Sequence, residues 1–507
     1  MDLSTVLALN AQRHPEKIAV IFGERQYTYE AFNDEVNRVA NALIEKGYKK
    51  GSKVAIFMKN SDYFMIVFYG IARAGCVAVP VNFRLTAIET EYILSQSEAD
   101  LVIGDEISEA LLETVNATLT KSVPIVSVPQ SQSGENTSWE QFLSSSVVQP
   151  NIHVSILDDA EILYTSGTTG YPKGALFHHQ AIINVSTAFT LISQFSRQDV
   201  TICMAPMFHS AQLNLINNTA IAAGMTCIVH RDFNPVQVLE DIERYKVTTL
   251  FGVPAMYNAI LNVPNNNQYD LSSLRACFYG AAPMAPKLIN DAIALFGTDQ
   301  FYNLCGLTEA GPGGTYLTPE EHAEKIGAGG KSMPLLIARV VNDDMEDVKP
   351  GETGEFVLKG ETIMKEYYRK PEETQKTFRD GWLMTGDLAT VDEDGFITIV
   401  DRKKDMIISG GENVYSVEVE QVLNSHPQIL EAATIGLPDE KWGETVTAVL
   451  VPKPNEKIDE EALLTYCRER IAGYKVPRQI LYVDVLPRNT SGKILKYQLR
   501  DAFMKEG

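Results

Sequence analysis

Tyr164-Thr165-Ser166-Gly167-Thr168-Thr169-Gly170-Tyr171-Pro172-Lys173-Gly174 sets three glycines, four Ser or Thr hydroxyls and one lysine into eleven residues. Glycines let successive backbone N–H groups turn toward a bound anion, the hydroxyls add donors, and Lys173 adds charge. The apolar pair Ile162-Leu163 precedes it, so the loop sits at the end of a strand. A polyphosphate is the ligand this chemistry suits. A Walker loop needs Gly-Lys followed by Ser or Thr, and Pro172-Lys173-Gly174 breaks that pattern. Phosphate binding is therefore expected from Thr165, Ser166, Gly167, Thr168, Thr169, Gly170 and Lys173 in a different loop class.

A phosphate loop at a strand end belongs to an α/β chain, and the flanking sequence agrees. Phe32, Val36, Val39, Ala40 and Leu43 recur at helical spacing, with Gly47 as a stop. Short apolar strands are expected at Val54 to Met58, Cys76 to Val81, Ala99 to Ile103, Thr201 to Ala205, Thr226 to Val229 and Thr248 to Gly252. Strands separated by helical stretches imply parallel sheets with crossover helices. Ser127 to Ser155, rich in Ser, Gln and Pro, is expected to be a surface connection. Beyond about Gly354 the texture changes to short strands joined by Gly turns, as at Gly354 to Leu358, Phe396 to Val400 and Thr445 to Val451. Two amphipathic helices follow, one with Val419, Val422 and Leu423, the other with Leu463, Cys467 and Ile471. The fold class is α/β: a large N-terminal domain of parallel-rich sheets with a β-subdomain over 1–401, and a small α+β C-terminal domain over 402–507. The boundary is placed at the charged cluster Asp401-Arg402-Lys403-Lys404-Asp405.

The chain has 507 residues, 45% of them hydrophobic and 21% charged, enough for several cores, which excludes a disordered chain or a disulfide-stapled miniature. With 44 Lys and Arg against 65 Asp and Glu, the net charge is −21. Such a surface repels nucleic acid and anionic lipid, so an anionic substrate must be met by locally concentrated positive groups. Six cysteines stand far apart without a Cys-x-x-Cys pair, which suits a reducing compartment and gives no zinc spacing. No signal peptide or membrane span is visible: Phe64 to Ala72 is too short, and the uncharged 200–230 stretch is interrupted by Asn214, Asn217 and Asn218. A cytoplasmic globular enzyme is the expectation.

In the loop at 164–174, the cluster at 401–405 and three further motifs, Gly306-Leu307-Thr308-Glu309, Trp382 to Asp387 and Pro487 to Lys493, the chain resembles the adenylate-forming superfamily of acyl-CoA synthetases, luciferases and peptide-synthetase adenylation domains. Its texture is nearest to bacterial medium- or long-chain fatty-acyl-CoA synthetases. The loop at 164–174 looks like the family's phosphate loop. Gly306-Leu307-Thr308-Glu309 looks like its second core motif, in which Thr308 contacts phosphate and Glu309 holds Mg2+. Trp382 to Asp387 resembles the segment whose Asp387 binds the ribose hydroxyls, and Arg402 and Lys404 match the ribose-binding and hinge positions. Pro487 to Lys493 resembles the C-terminal loop with the catalytic lysine, Lys493. His209, in Pro206-Met207-Phe208-His209-Ser210, matches the family position beside the acyl carboxylate. Gly280, Ala281 and Ala282 are expected among the ATP-binding residues and, with Pro283, at the acyl pocket. Gly410 and Gly411 match a face that admits the pantetheine arm of CoA, and Lys475 a CoA phosphate contact. Where the family has an aromatic ring that stacks on adenine, this chain has Cys305.

The resemblance implies an ATP-, Mg2+- and CoA-dependent ligase, often a homodimer, whose small C-terminal domain is mobile. A carboxylate attacks the α-phosphorus of ATP, pyrophosphate leaves, and a thiol then displaces AMP from the acyl-adenylate. Both first reactants are anions, so electrostatic stabilisation carries that step. The acyl pocket is expected from Met207, Phe208, Gln212, Phe251 and Gly252. These are mostly apolar with no arginine for a second carboxylate, which favours a hydrocarbon acid. An aryl-CoA ligase for benzoate-like or succinylbenzoate-like acids and a stand-alone adenylation enzyme serving a carrier protein are the alternatives.

Overall fold

The computed structural model describes residues 2–129, 137–165, 172–282, 284–454, 456–488 and 494–504. Its contacts divide the chain into two units, 1–338 with 358–383, and 339–357 with 384–507.

The first unit holds two large sheets. One runs, among the described residues, Lys331–Ser332, Gly314–Leu317, Phe301–Gly306, Ala276–Gly280, Thr249–Gly252, Val200–Cys203, Thr226–Val229, Ile18–Phe22, Arg25–Thr28. From Phe301–Gly306 through Ile18–Phe22 every neighbouring pair is parallel. The other runs Glu366–Tyr367, Lys173–His178, Asp159–Thr165, Val77–Pro80, Lys53–Phe57, Leu101–Asp105, Ile125–Val128. Here the four strands beyond Asp159–Thr165 pair in parallel. Helices cover the faces, so these strands are buried almost throughout and read as continuous apolar runs without alternation. The expected strands at 54–58, 76–81, 99–103, 201–205, 226–229 and 248–252 all form, shifted by one or two residues at their ends.

The helix expected around 32–43 spans Tyr29–Glu45, begun by the Thr28 hydroxyl, which accepts the Ala31 N–H at 3.1 Å. The expected surface connection 127–155 is corrected in part. It contains the helix Thr137–Phe142, which buries Trp139 and Phe142 against each other and sets Trp139 edge-on to Tyr63. Ser and Gln dominate its composition, but two aromatics suffice to dock a short helix.

In the second unit Trp382–Val391 pairs antiparallel with Ile397–Arg402, so that Asp387 faces Arg402. The boundary expected between 401 and 402 falls inside this unit. Asp401 accepts the Ser416 hydroxyl at 2.9 Å and its backbone N–H at 2.5 Å, which anchors the start of the helix Ser416–Asn424. Beyond it, Glu412–Val414, Ile407–Ser409, Gly443–Pro452 and Ile429–Asp439 form a sheet, with Gln479–Tyr482 added in parallel to Gly443–Pro452. Val419 and Leu423 from one helix and Leu463 and Cys467 from Glu460–Arg468 pack into one core over it. All six cysteines are unbridged. No helix among the described residues is long and apolar enough to cross a membrane.

Candidate active site

In open α/β sheets ligands bind beyond the carboxyl ends of parallel strands. Four adjacent strands of the first sheet end in expected site residues. Val200–Cys203 leads into Met207, Phe208 and His209; Thr249–Gly252 ends on Phe251 and Gly252; Ala276–Gly280 ends on Gly280 and leads to Ala281 and Ala282; Phe301–Gly306 ends on Cys305 and Gly306. Residues spread over a hundred positions of sequence thus share one edge because their strands run the same way.

The turn after Ala276–Gly280 uses unusual backbone. A Cβ on Gly280 would stand 2.3 Å from the Leu304 carbonyl oxygen, so the neighbouring strand approaches more closely than any side chain allows. Ala281 follows with φ +66, in the left-handed region that non-glycine residues rarely adopt. Cys305 is half-buried and lies opposite Thr315. Tyr302 is engaged elsewhere, stacked on Phe278 at 4.8 Å.

Thr308 and Glu309 form a single helical turn after that strand. The Ser210 hydroxyl donates to Thr308 Oγ1 at 3.3 Å, tying the His209 loop to this turn. Thr165, the last described residue before the phosphate loop, donates to Glu309 Oε1 at 3.3 Å. Ser166, Gly167, Thr168, Thr169 and Gly170 lie outside the described residues. On the far side of the loop Lys173 pairs with Glu373 at 2.7 Å, and its ammonium stands 5.0 Å from the centre of the Tyr367 ring. The lysine holds the Glu373 carboxyl below its ordinary range.

Sequence reading missed Tyr367. Its phenol donates to Glu309 Oε1 at 2.8 Å, and burial followed by the Glu309 charge raises its pKa. Two pairings place it. Glu366–Tyr367 adds an edge strand to Lys173–His178, and the Glu309 carbonyl accepts the Met364 N–H at 2.8 Å. No spacing signal links residues 58 positions apart.

The acyl-pocket candidates Met207, Phe208, Gln212, Phe251 and Gly252 are all buried. Phe208 meets Phe83 edge-on at 5.6 Å and the His209 ring at 4.5 Å, an aromatic series in which Phe83 was not foreseen. Asn60 holds the backbone of this loop, accepting from Met207 N and donating to the Ala205 carbonyl, each at 2.8 Å.

In the second unit the two expected ribose ligands meet each other, with Arg402 Nε 2.6 Å from Asp387 Oδ1. Lys404 is exposed, and partial desolvation of its ammonium lowers its pKa. Gly410 and Gly411, with φ +66 and +86, are the two central residues of the hairpin between Ile407–Ser409 and Glu412–Val414, a turn that itself demands positive φ. A Cβ on Gly410 would lie 2.8 Å from the Trp442 ring. The Arg478 guanidinium covers that ring at 4.3 Å and donates to Ser409 Oγ at 3.0 Å, a group the sequence did not single out. Lys475 is bridged to both Glu418 oxygens at 2.7 Å; burial works against its charge, but Glu418 leaves its pKa raised. Lys493 lies outside the described residues.

No group of three or more His, Cys, Asp or Glu that would cage a metal occurs among the described residues. Mg2+ needs no such cage: one or two carboxylates plus substrate phosphates commonly hold it. Glu309, held by hydrogen bonds from Tyr367 and Thr165, fits that requirement.

Over 497 residues and 97% of both chains, the sequence is 37% identical to a feruloyl-CoA synthase of Amycolatopsis sp. It is 36% identical to the long-chain-fatty-acid–CoA ligase FadD13 of Mycobacterium tuberculosis, over 94% of this chain and 93% of that one. The fold superposes on the ATP-bound MatB of Rhodopseudomonas palustris with a TM-score of 0.90, at 29% identity and 99% coverage of both. Residues 7–368 match the AMP-binding enzyme family and residues 418–493 match the AMP-binding enzyme C-terminal domain, and the chain belongs to that family of adenylate-forming enzymes.

Proposed function

We propose that the chain is an AMP-forming acid–thiol ligase that converts a medium- or long-chain fatty acid, ATP and CoA into acyl-CoA, AMP and pyrophosphate. The observation that supports it most is the convergence of Thr165, at a strand end of one large sheet, with Thr308, Glu309 and the His209 loop, which follow strands of the other. It sets a phosphate-binding group beside an apolar, arginine-free pocket.

In the first step a carboxylate oxygen bonds to the α-phosphorus while the bond to pyrophosphate breaks. Thr165 through Gly170, Lys173 and Thr308 bind the phosphates, and His209 lies beside the carboxylate. Glu309 would hold Mg2+, which when bound offsets phosphate charge. Lys493 bridges the carboxylate and the α-phosphate. Gly280, Ala281, Ala282, Cys305 and Gly306 border the adenine; Asp387 and Arg402 take the ribose after exchanging their mutual ion pair for its hydroxyls. In the second step a CoA sulfur, its proton lost, attacks the acyl carbonyl and AMP leaves. Lys404 is the pivot between the steps, in the turn that follows the strand carrying Arg402. Gly410, Gly411 and Lys475 form the CoA face.

One observation favours a second reading, an aryl acid. The Phe83–Phe208–His209 series gives the pocket a ring-stacking wall, and a hydroxycinnamate-type acid would use it. The experiment measures AMP and pyrophosphate release over a panel of linear C6 to C18 acids, benzoates and cinnamates, with and without CoA. Turnover greatest on linear acids and dependent on CoA is expected. Preference for cinnamates establishes the second reading, and AMP release indifferent to CoA argues for another acyl acceptor.

A further inference from the structure

Glu161 is fully buried in the middle of the strand Asp159–Thr165, between Val77–Pro80 and Lys173–His178. Among the described residues one donor reaches it, the Asn214 side-chain amide on Oε1. Oε2 has no hydrogen-bond partner among the described residues. A carboxylate in that setting would be an uncompensated buried charge, which burial disfavours so strongly that the group takes up a proton instead. Burial pushes the Glu161 carboxyl up to about 8, against the smaller opposing effect of the Asn214 bond. At neutral pH it is an uncharged acid.

Asn214 is the last link of a polar chain through an otherwise apolar core. The Tyr69 phenol donates to Asn218 Oδ1 at 2.9 Å, and Asn218 Nδ2 donates to Asn214 Oδ1 at 3.0 Å. With its carbonyl occupied as acceptor, Asn214 has only its NH2 to offer Glu161. Tyr69 is the other titratable group of this chain, and burial raises its phenol well above its ordinary range. The neighbouring strands oppose Glu161 with Ala78 and Phe177.

Both ends of the Glu161–Asn214 contact lead to the site. Four residues beyond Glu161 in the strand, Thr165 meets Glu309. Asn214 lies in the π-helix Ala211–Asn217, which begins just after Ser210, the residue that follows His209. In that helix Gln212 accepts the Ala205 N–H at 3.0 Å and donates to Asn217 Oδ1 at 2.6 Å, so helix and loop move as one piece.

We propose that Glu161 is a positioning residue: as a neutral acid it fastens the helix behind His209 to the strand that delivers Thr165 to Glu309, and so keeps the nucleotide and acid pockets in register. The inference rests on the ligase reading for what the two pockets hold. The role requires an acceptor at Oε1 and no charge, which glutamine supplies and methionine does not. In the native state the proton stays on to about pH 8, whereas an unfolded glutamate releases it near 4.3. Native protein therefore binds more protons across that window, and stability falls as pH rises through it, levelling off above about 8.

The test compares wild type with Glu161→Gln and Glu161→Met, using thermal melting from about pH 5 to about pH 9 and calorimetric titration of ATP. The wild-type melting midpoint should fall relative to that of the Gln variant between about pH 5 and 8, then run parallel to it. At pH 7 the Gln variant should bind ATP like wild type. The folded Met variant should bind it about tenfold more weakly, the effect of one lost buried acceptor. With an acid from the panel, the alkaline fall in kcat/KM above about pH 8 should disappear in the Gln variant. Parallel melting midpoints across the whole range, or unchanged ATP affinity in the folded Met variant, would overturn the proposal. Melting and ATP titration need no turnover, so absence of ligase activity in wild type would count against the proposed reaction alone.

Discussion

Cys305 sits where an aromatic ring would cover adenine if the family geometry holds, half-buried opposite Thr315. A thiol has less area than a ring and no π-face, so part of the nucleotide affinity should be missing. An aromatic pair contributes about 0.5–1.5 kcal/mol beyond area burial, or about twofold to twelvefold in affinity. Cys305→Tyr should tighten ATP binding by that factor without altering the affinity for the acid, as read by calorimetric titration. Weaker binding by a folded Tyr variant would mean that the added ring clashes there. Tyr367 invites a separate test, because its phenol donates to the carboxylate assigned to Mg2+. A hydrogen bond to a charged group is worth about 1.5–3 kcal/mol, so Tyr367→Phe should slow ATP–pyrophosphate exchange by about tenfold or more. The Mg2+ concentration for half-maximal exchange should rise, while the KM for the acid stays unchanged. Equal changes in the ATP and acid parameters would place Tyr367 outside the metal and phosphate machinery.

At the scale of elements, the turn before the strand Leu336–Val341 carries a local conflict. Leu335 has φ +64 and is 43% exposed, so a large apolar side chain occupies a glycine conformation and faces water. The left-handed conformation costs an L-residue about 1–2 kcal/mol, and glycine gives back about 0.5–1 kcal/mol through its greater unfolded-state freedom. Leu335→Gly should therefore stabilise the protein by up to about 1 kcal/mol, seen as a higher urea midpoint at unchanged slope. The main-chain contacts of the turn should persist, since the Leu335 carbonyl, not its side chain, accepts the Glu361 N–H at 3.0 Å. A lower midpoint would show that the leucine side chain makes contacts worth more than its backbone strain.

For the whole molecule the question is how one chain serves two half-reactions. Lys404 falls in the turn between Ile397–Arg402 and Ile407–Ser409, where a change in one backbone dihedral re-aims everything that follows. Proline fixes φ near −65° and would remove that freedom. Lys404→Pro should keep acyl-AMP formation, followed by pyrophosphate exchange, and lose most thioester formation from preformed acyl-AMP. Thioester synthesis at the wild-type rate would move the pivot elsewhere.

Much of this was legible in the sequence because short-range physics sets it. Apolar runs bounded by glycine gave the parallel strands, helical periodicity gave Tyr29–Glu45 and Ser416–Asn424, and the Gly, Ser and Thr density at 164–174 marked a candidate phosphate loop whose central residues, 166–171, lie outside the described ones. Thr308 and Glu309 could be named from their motif alone, as could the apolar wall at Met207 and Phe208. The sequence could not show that Tyr367 orients Glu309, that Lys173 is held by Glu373, that Asp387 and Arg402 pair, or that Glu161 meets Asn214. Apart from Asp387 and Arg402, which face each other across one hairpin, these contacts join residues far apart in the chain, and all depend on strand register or helix docking. A one-residue slip in pairing would turn those side chains to the opposite face. Residue chemistry and local pattern thus determined which groups could act, and tertiary register alone decided which of them met.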